Sequence, residues 1–413
     1  MRTQSALAAL ALLAACGKPA QQTPALGAAD AAYQETLLAA LLDAQPGQVI
    51  TIPEGRFAID RSLSLAVDGV TIRGAGMDKT ILSFKTQAAG AEGLLVTAND
   101  FTIEDLAIED AKGDALKVVK AENVVIRRVR TEWTNGPSQD NGAYGLYPVQ
   151  TSNLLLEGNV AIGASDAGIY VGQSRNVVVR NNRAEYNVAG IEIENTIGAD
   201  VHDNVATNNT GGILVFNLPN LPQSGARTRV FRNRVLANNT KNFAAPGTAV
   251  ASVPAGSGVI VNSNDQVEIF DNEIKDHRTS NIIISSIFSS GLSREGMTDA
   301  FDAYPEGIFI YGNQMGGGGK DPDSLELTAL KVAKFGLNGA LPDVLWDGHV
   351  DAAKLVGAAL PPALRICVQN PGAEVLNADG PNGFKNPQLA TAAHACTLEK
   401  LPPIALEGAL ASL

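Results

Sequence analysis

The sequence predicts an all-β chain. It reads as a single-stranded right-handed parallel β-helix (a solenoid) with an N-terminal helical cap and a mixed C-terminal cap. Three observations predict it. Glycine-led segments recur at Gly145, Gly168, Gly190 and Gly212, which are 23, 22 and 22 residues apart. An asparagine column at Asn159, Asn182 and Asn204 keeps steps of 23 and 22, and continues less regularly through Asn233, Asn272 and Asn313. Short apolar runs precede the asparagines, as in Leu154-Leu155-Leu156 and Val177-Val178-Val179, without the 3.6-residue period of a helix. A period near 22 holding several short strands is one turn of a solenoid. Leucine-rich repeats share that period, but their leucine consensus is missing.

Composition supports this reading. The chain has 413 residues and a formal charge of −12, from 31 basic and 43 acidic residues. That sign argues against nucleic acid, whose phosphates select basic surfaces. With 18% charged and 45% hydrophobic residues, the chain is neither disordered nor a coiled coil.

Taken in order, residues 1–15 read as an export signal, with Arg2 at its start and an apolar core over Ala6 to Leu13. That core is short of the roughly 20 apolar residues a membrane span needs. Leu13-Ala14-Ala15-Cys16 has the form of a bacterial lipobox, which makes Cys16 the lipidation site, and Gly17 resembles the outer-membrane default. Residues 16–32 then form a tether. The expectation is an exported lipoprotein of a Gram-negative bacterium, at the outer membrane or in the periplasm, touching the membrane only through its anchor.

The solenoid is expected over 33–315. A helix from Tyr33 to Ala44 would cover the first coil and hide its edge. Coils follow at 49–55, 70–76, 101–108, 124–129 and 259–274, and 307–313 resembles the last. Longer spacings at 217–230, 240–257 and 278–306 predict projecting loops. Residues 316–413 read as the C-terminal cap. With Cys16 set aside, Cys367 and Cys396 remain as an even pair suited to a disulfide in an oxidising compartment.

Strand alternation sends Ile169, Val171, Ile191, Ile193, Ile213 and Val215 inward. The asparagines should form a ladder, since each buried amide left unpaired would cost about 1–3 kcal/mol. Asn208-Asn209-Thr210 and Asn238-Asn239-Thr240 match a glycosylation sequon, but repeat geometry explains them better. Tyr147, Tyr170, Glu192 and Leu214 fall on one outward row, and Gly172, Glu194 and Phe216 on the next. Tyr144 and Trp133, on the preceding loop, are placed to overhang this face. His202 and Arg180 fall on the neighbouring strand.

The glycine and asparagine columns over about 45–315 resemble the parallel β-helix repeat proteins of the pectin lyase-like fold. Asp166 to Ser174, Asn187 to Asn195 and Thr210 to Phe216 are similar to an uncharacterised lipoprotein subfamily of these proteins. The resemblance covers about two-thirds of the chain. It implies relatives among pectate lyases, alginate lyases, mannuronan epimerases and glycoside hydrolases, among which fold does not choose.

Two chemistries fit the outward residues. A lyase or epimerase needs a uronate neutraliser, a base and an acid: Arg180, His202, and Tyr170 or Tyr147. The Asp-Pro-His-Glu signature of mannuronan epimerases is absent, and only a modest basic stripe (Arg127, Arg128, Arg130, Arg180) is present. A hydrolase needs two carboxylates about 5–10 Å apart. Glu192 and Glu194 share one face of a strand, with Asp166 as a third. No metal or cofactor is expected, because no aspartate cluster in the sequence supports calcium. The reading is a polysaccharide bound or processed on the Tyr/Glu face, through Tyr144, Tyr147, Trp133, Arg180 and Phe216. Lyase, epimerase, hydrolase and a non-enzymatic scaffold for an envelope protein stay open.

Overall fold

The computed structural model describes residues 29–413, except 292, 293, 295, 296, 299 and 300. The expected signal, Cys16 and the tether up to residue 28 lie outside the described residues.

Each coil consists of three short parallel strands. One coil holds Ala167–Gly172, Arg175–Arg180 and Arg183–Glu185, and the next holds Ala189–Glu194, Ile197–His202 and Val205–Thr207. We call the three resulting sides the first, second and third faces. The chain turns each corner through a residue in the left-handed region: Gln173, Asn181 and Tyr186 in one coil, Asn195, Asp203 and Asn208 in the next. Asn and Asp tolerate that conformation better than most residues, which is one reason they crowd the corners.

Stacking is in register, with Ile169 beside Ile191 beside Ile213. Ile169, Val171, Ile191, Ile193, Ile213 and Val215 are all inward and fully buried. Among the described residues, twelve strands build the first face. The other two faces merge into one ladder of nineteen, because Thr102–Glu109 and Glu122–Glu132 each pass unbroken around a corner.

Amide ladders close the interior at the turns. Asn159 Nδ2 donates to Asn182 Oδ1 at 2.9 Å, and the pattern repeats through Asn204, Asn233, Asn272 and Asn313. A second ladder, Asn187 to Asn209 to Asn238, ends on the buried ring of His277. Asn209 and Asn238 are therefore buried rungs.

Helix α1 (Ala29–Leu42) caps the first coils, burying Leu37 and Leu41 and stacking Tyr33 on Phe57 at 4.0 Å.

Three expectations about the outline need correction. The solenoid runs past 315: Val344–Trp346 and Val375–Asn377 extend the first face, and Ile366–Gln369 extends the second. Asn370 accepts from the Asn313 backbone and prolongs the ladder. An inserted helix, α2 (Leu325–Phe335), breaks the repeat period there and hides the coil in the sequence. The 240–257 insertion does not project. It folds onto the first face, where Val250 and Val253 pack with Tyr170, Leu214 and Phe216 and bury apolar surface.

The third correction concerns the C-terminus, which is a strap. Cys367 and Cys396 are disulfide-bonded, with Cα atoms 4.9 Å apart. The chain then runs back across the second face, setting Ile404, Leu406 and Leu410 against Val125, Leu155 and Val178. Asn153 pairs with both backbone groups of Glu407, and Arg180 Nη2 donates to the Leu413 carbonyl at 2.7 Å.

Candidate functional site

Because Ile191 and Ile193 point inward, Glu192 and Glu194 must point outward from the same strand, about 7 Å apart along the backbone. Pairing aligns Tyr170 with Glu192 and Leu214, and Gly172 with Glu194 and Phe216. Gly172 has a specific task. A Cβ there would lie 2.3 Å from the Tyr170 hydroxyl, so its absence lets the tyrosine ring lie down along the strand. Tyr170 then donates to Glu194 Oε1 at 2.5 Å, and Gln173 Nε2 approaches the same oxygen at 3.5 Å.

Three tyrosines form one cluster. Tyr144 lies 4.3 Å from Tyr147 and 4.7 Å from Tyr170, ring centre to ring centre, and Tyr147 lies 4.9 Å from Tyr170. Tyr144 is a strand residue, not a loop residue, and its hydroxyl donates to Asp166 Oδ2 at 3.4 Å. Lys117 sits over the Tyr147 ring and pairs with Asp114 at 3.2 Å and Glu92 at 3.6 Å.

The face expected to be open is covered. Tyr170, Glu192 and Glu194 are 3%, 1% and 7% exposed, and Phe243, Val250 and Val253 pack in one apolar cluster with Tyr170 and Leu214. Glu192 Oε2 has no hydrogen-bond partner among the described residues.

Burial sets the electrostatics. It pushes Glu192 well above the usual carboxylate range, and the charges of Asp166 and Glu194 push the same way. Burial and the Glu194 charge raise Asp166 to about 7. Burial raises Glu194 too, but the Tyr170 and Gln173 donors favour its charged form. Tyr147 is pushed up to about 12, by burial first and then by Asp114 and the other carboxylates. Burial thus favours the proton on Glu192, while the Tyr170 and Gln173 donors counter its effect at Glu194. Two carboxyls with opposed environments are the arrangement acid–base chemistry uses.

Other expected site residues lie elsewhere. His202 and Arg180 pair with each other's strands on the second face, one corner away from the tyrosines. His202 Nδ1 contacts Asp203 Oδ2 at 2.6 Å, and its ring begins a stack through Phe231, Phe270 and Tyr311. Arg180 is held by Glu157 and the Leu413 carbonyl. Trp133 does not overhang the face. It turns into the core, 5% exposed, and donates to the Ala111 carbonyl at 2.7 Å. Arg127, Arg128 and Arg130 are spent on Glu104, Asp105 and Glu109. Phe216 is buried under Val253, at the edge of a cavity of about 770 Å³ between the first face and α2.

Sequence reading missed Asp114, Lys117 and Gln173. Lys117 was detectable in principle, because its strand pairs with that of Tyr147 one coil later. Asp265, Asp302 and Glu306 bring oxygens within 4.8 Å of one another, but Lys354 Nζ lies 2.5 Å from Asp302 and 2.7 Å from Glu306 and supplies the counter-charge.

Residues 67–224 match the family model described as right handed beta helix region. No curated protein matches the sequence. Among solved structures, the A-module of the mannuronan C-5 epimerase AlgE6 from Azotobacter vinelandii is 18% identical, with a TM-score of 0.48 over 77% of this chain and 86% of that one. The AlgE4 A-module from the same organism is 18% identical, with a TM-score of 0.46 over 71% and 88%. A DFA-IIIase from Arthrobacter chlorophenolicus A6 is 13% identical, with a TM-score of 0.41 over 73% and 83%. Likeness at this level concerns fold alone. Coil stacking, inward amide ladders and the family match together make this chain a right-handed parallel β-helix.

Proposed function

We propose that the outward side of the first face acts on a polysaccharide by acid–base chemistry, with Glu192 as the acid and Glu194 as the base or nucleophile. The observation that carries this reading is Glu192: wholly buried on the outward side, favouring its proton, with an oxygen that no described residue satisfies. A purely structural carboxylate would be paired, because leaving one unmatched costs about 1–3 kcal/mol. The tyrosines supply stacking surface for sugar rings.

The charge around the site favours a neutral glycan and hydrolysis. A uronate would meet three carboxyls, and Lys117, which lies over the Tyr147 ring, already pairs with Asp114 and Glu92. The neutraliser and base of an elimination, Arg180 and His202, face elsewhere. Release of reducing ends from neutral polysaccharides, abolished in Glu192→Gln with binding kept, would support the proposal. Neither binding nor products on any glycan would defeat it.

A specific observation favours a second reading. The 237–256 segment packs against Tyr170, Leu214 and Phe216 of this face, as it would in a non-enzymatic envelope scaffold. Backbone hydrogen exchange in 237–256 separates the two: exchange altered by a glycan supports the enzyme, and exchange indifferent to glycan supports the scaffold.

Export and acylation at Cys16 belong to the same proposal, supported by the lipobox and by a disulfide suited to an oxidising compartment. Cys16→Ala should release the protein from membranes, and retention would contradict the anchor.

A further inference from the structure

A second cavity, of about 290 Å³, lies against the last strands of the solenoid and is lined by Tyr304, Glu306, Trp346, Ile366 and His394, among others. Three buried polar atoms of its lining residues lack partners among the described residues: Glu306 Oε1, Trp346 Nε1 and His394 Nε2. Glu306 and His394 are only 3% and 6% exposed. Native interiors rarely leave such atoms unmatched, and here three belong to the wall of one cavity.

Their chemistry defines what would match them. Trp346 Nε1–H can only donate. His394 Nδ1 lies 2.9 Å from the Ile366 carbonyl, which can only accept, so Nδ1 carries the ring proton and Nε2 is a bare acceptor. Burial favours that neutral ring. Glu306 Oε2 is held by Lys354, which leaves Oε1 as the second acceptor. An occupant must therefore donate twice and accept once, which hydroxyl groups do. An anion would meet the Glu306 carboxyl, and Arg365 in the wall already donates to the Ala393 carbonyl. The remaining wall is mixed: Leu355, Leu360 and Ile366 lie beside Tyr304, His349 and Arg365, and the Trp346 indole offers a surface for the C–H face of a ring.

We propose that this cavity binds a neutral, pyranose-sized polyol, independently of the first-face site. The cavity is far larger than the roughly 30 Å³ of one water, and its size lies at the lower end of small-ligand sites.

The chain has two tryptophans, Trp133 and Trp346, so the full chain labelled with 5-fluorotryptophan gives two fluorine resonances. Trp133 is the internal control, since it lies in the core with its own acceptor. Titration with D-glucose, D-mannose and D-galactose should shift the Trp346 resonance saturably and leave that of Trp133 in place, with D-glucuronate ineffective. His394→Gln should weaken the response about tenfold, the loss of one hydrogen bond. No saturable shift with any hexose means ordered water only and overturns the proposal, as does an equal response to glucuronate. If His394→Gln fails to fold, the wild-type titration decides alone. Product release from a polysaccharide reports the first-face site separately, so either reading can fail without the other.

Discussion

The first and second faces of the solenoid carry similar residue types and treat them in opposite ways. On the second face and its corners, acids meet guanidinium groups. Arg73, Arg127 and Arg128 converge on Glu104, and a hydrogen bond from Arg232 holds Asp203 down at about 2. The aromatic stack from His202 to Tyr311 is flanked by Arg229, Arg232 and Lys400, and the C-terminal strap crosses the same face. On the first face, acids meet tyrosines, apolar cover and one another, so burial raises Asp166, Glu192 and Glu194 above the usual carboxylate range. Composition alone therefore does not separate a structural acid from a reactive one; the charge of its neighbours does.

Substitutions can break this contrast. The largest expected effect is on the second face: Glu104→Ala leaves three guanidiniums without their shared carboxylate. Breaking a buried pair costs about 3–5 kcal/mol, and the partly exposed arginines reduce this to about 2–3 kcal/mol, measurable by chemical denaturation. Gly172→Ala should cost about 1–2 kcal/mol, because the new methyl drives Tyr170 off Glu194. Glu192→Gln, by contrast, should be neutral or stabilising by up to about 1 kcal/mol, since the carboxyl it replaces is unpaired. A large loss there would mean the cluster is structural. Lys117→Ala should change stability by only about 0.5 kcal/mol, as partly exposed ion pairs do.

pH sharpens the same comparison. Asp166 binds its proton more tightly folded, at about 7, than unfolded, near 3.9, so its contribution is full below about pH 4 and is lost as pH rises through 7. Asp203, held at about 2, contributes above about pH 4 and loses that contribution as pH falls through 2. Asp166→Asn should therefore flatten the decline in stability between pH 4 and 7. An unchanged slope would show that Asp166 does not titrate there.

Much of the coil stack was legible. Gly168, Gly190 and Gly212 and the asparagines from Asn159 to Asn313 recur because every coil repeats one corner and one inward turn, and such positions tolerate few residue types. The coil containing Val344–Trp346 and Ile366–Gln369 was not legible, because α2 and its connections interrupt the spacing on which the period depends. Of the candidate site, Tyr144, Tyr147, Tyr170, Asp166, Glu192 and Glu194 come together because strand alternation and register are local rules. Arg180 and His202 separate from them because Gln173 and Asn195 each turn a corner, and a linear spacing does not record which face follows a corner. Trp133 was misread for a related reason: as it leaves its strand, the chain turns it inward.

By itself, the sequence determined the coil, its period, its inward column and its ladders, all of which repeat over steps of about 22 residues. Only the tertiary structure decided that the 237–256 segment packs on Tyr170 and Leu214, that the strap crosses the second face, and that acids meet guanidiniums on one face and one another on the other. Those outcomes rest on contacts between segments tens to hundreds of residues apart, where burial and charge pairing, not local alternation, set the free energy.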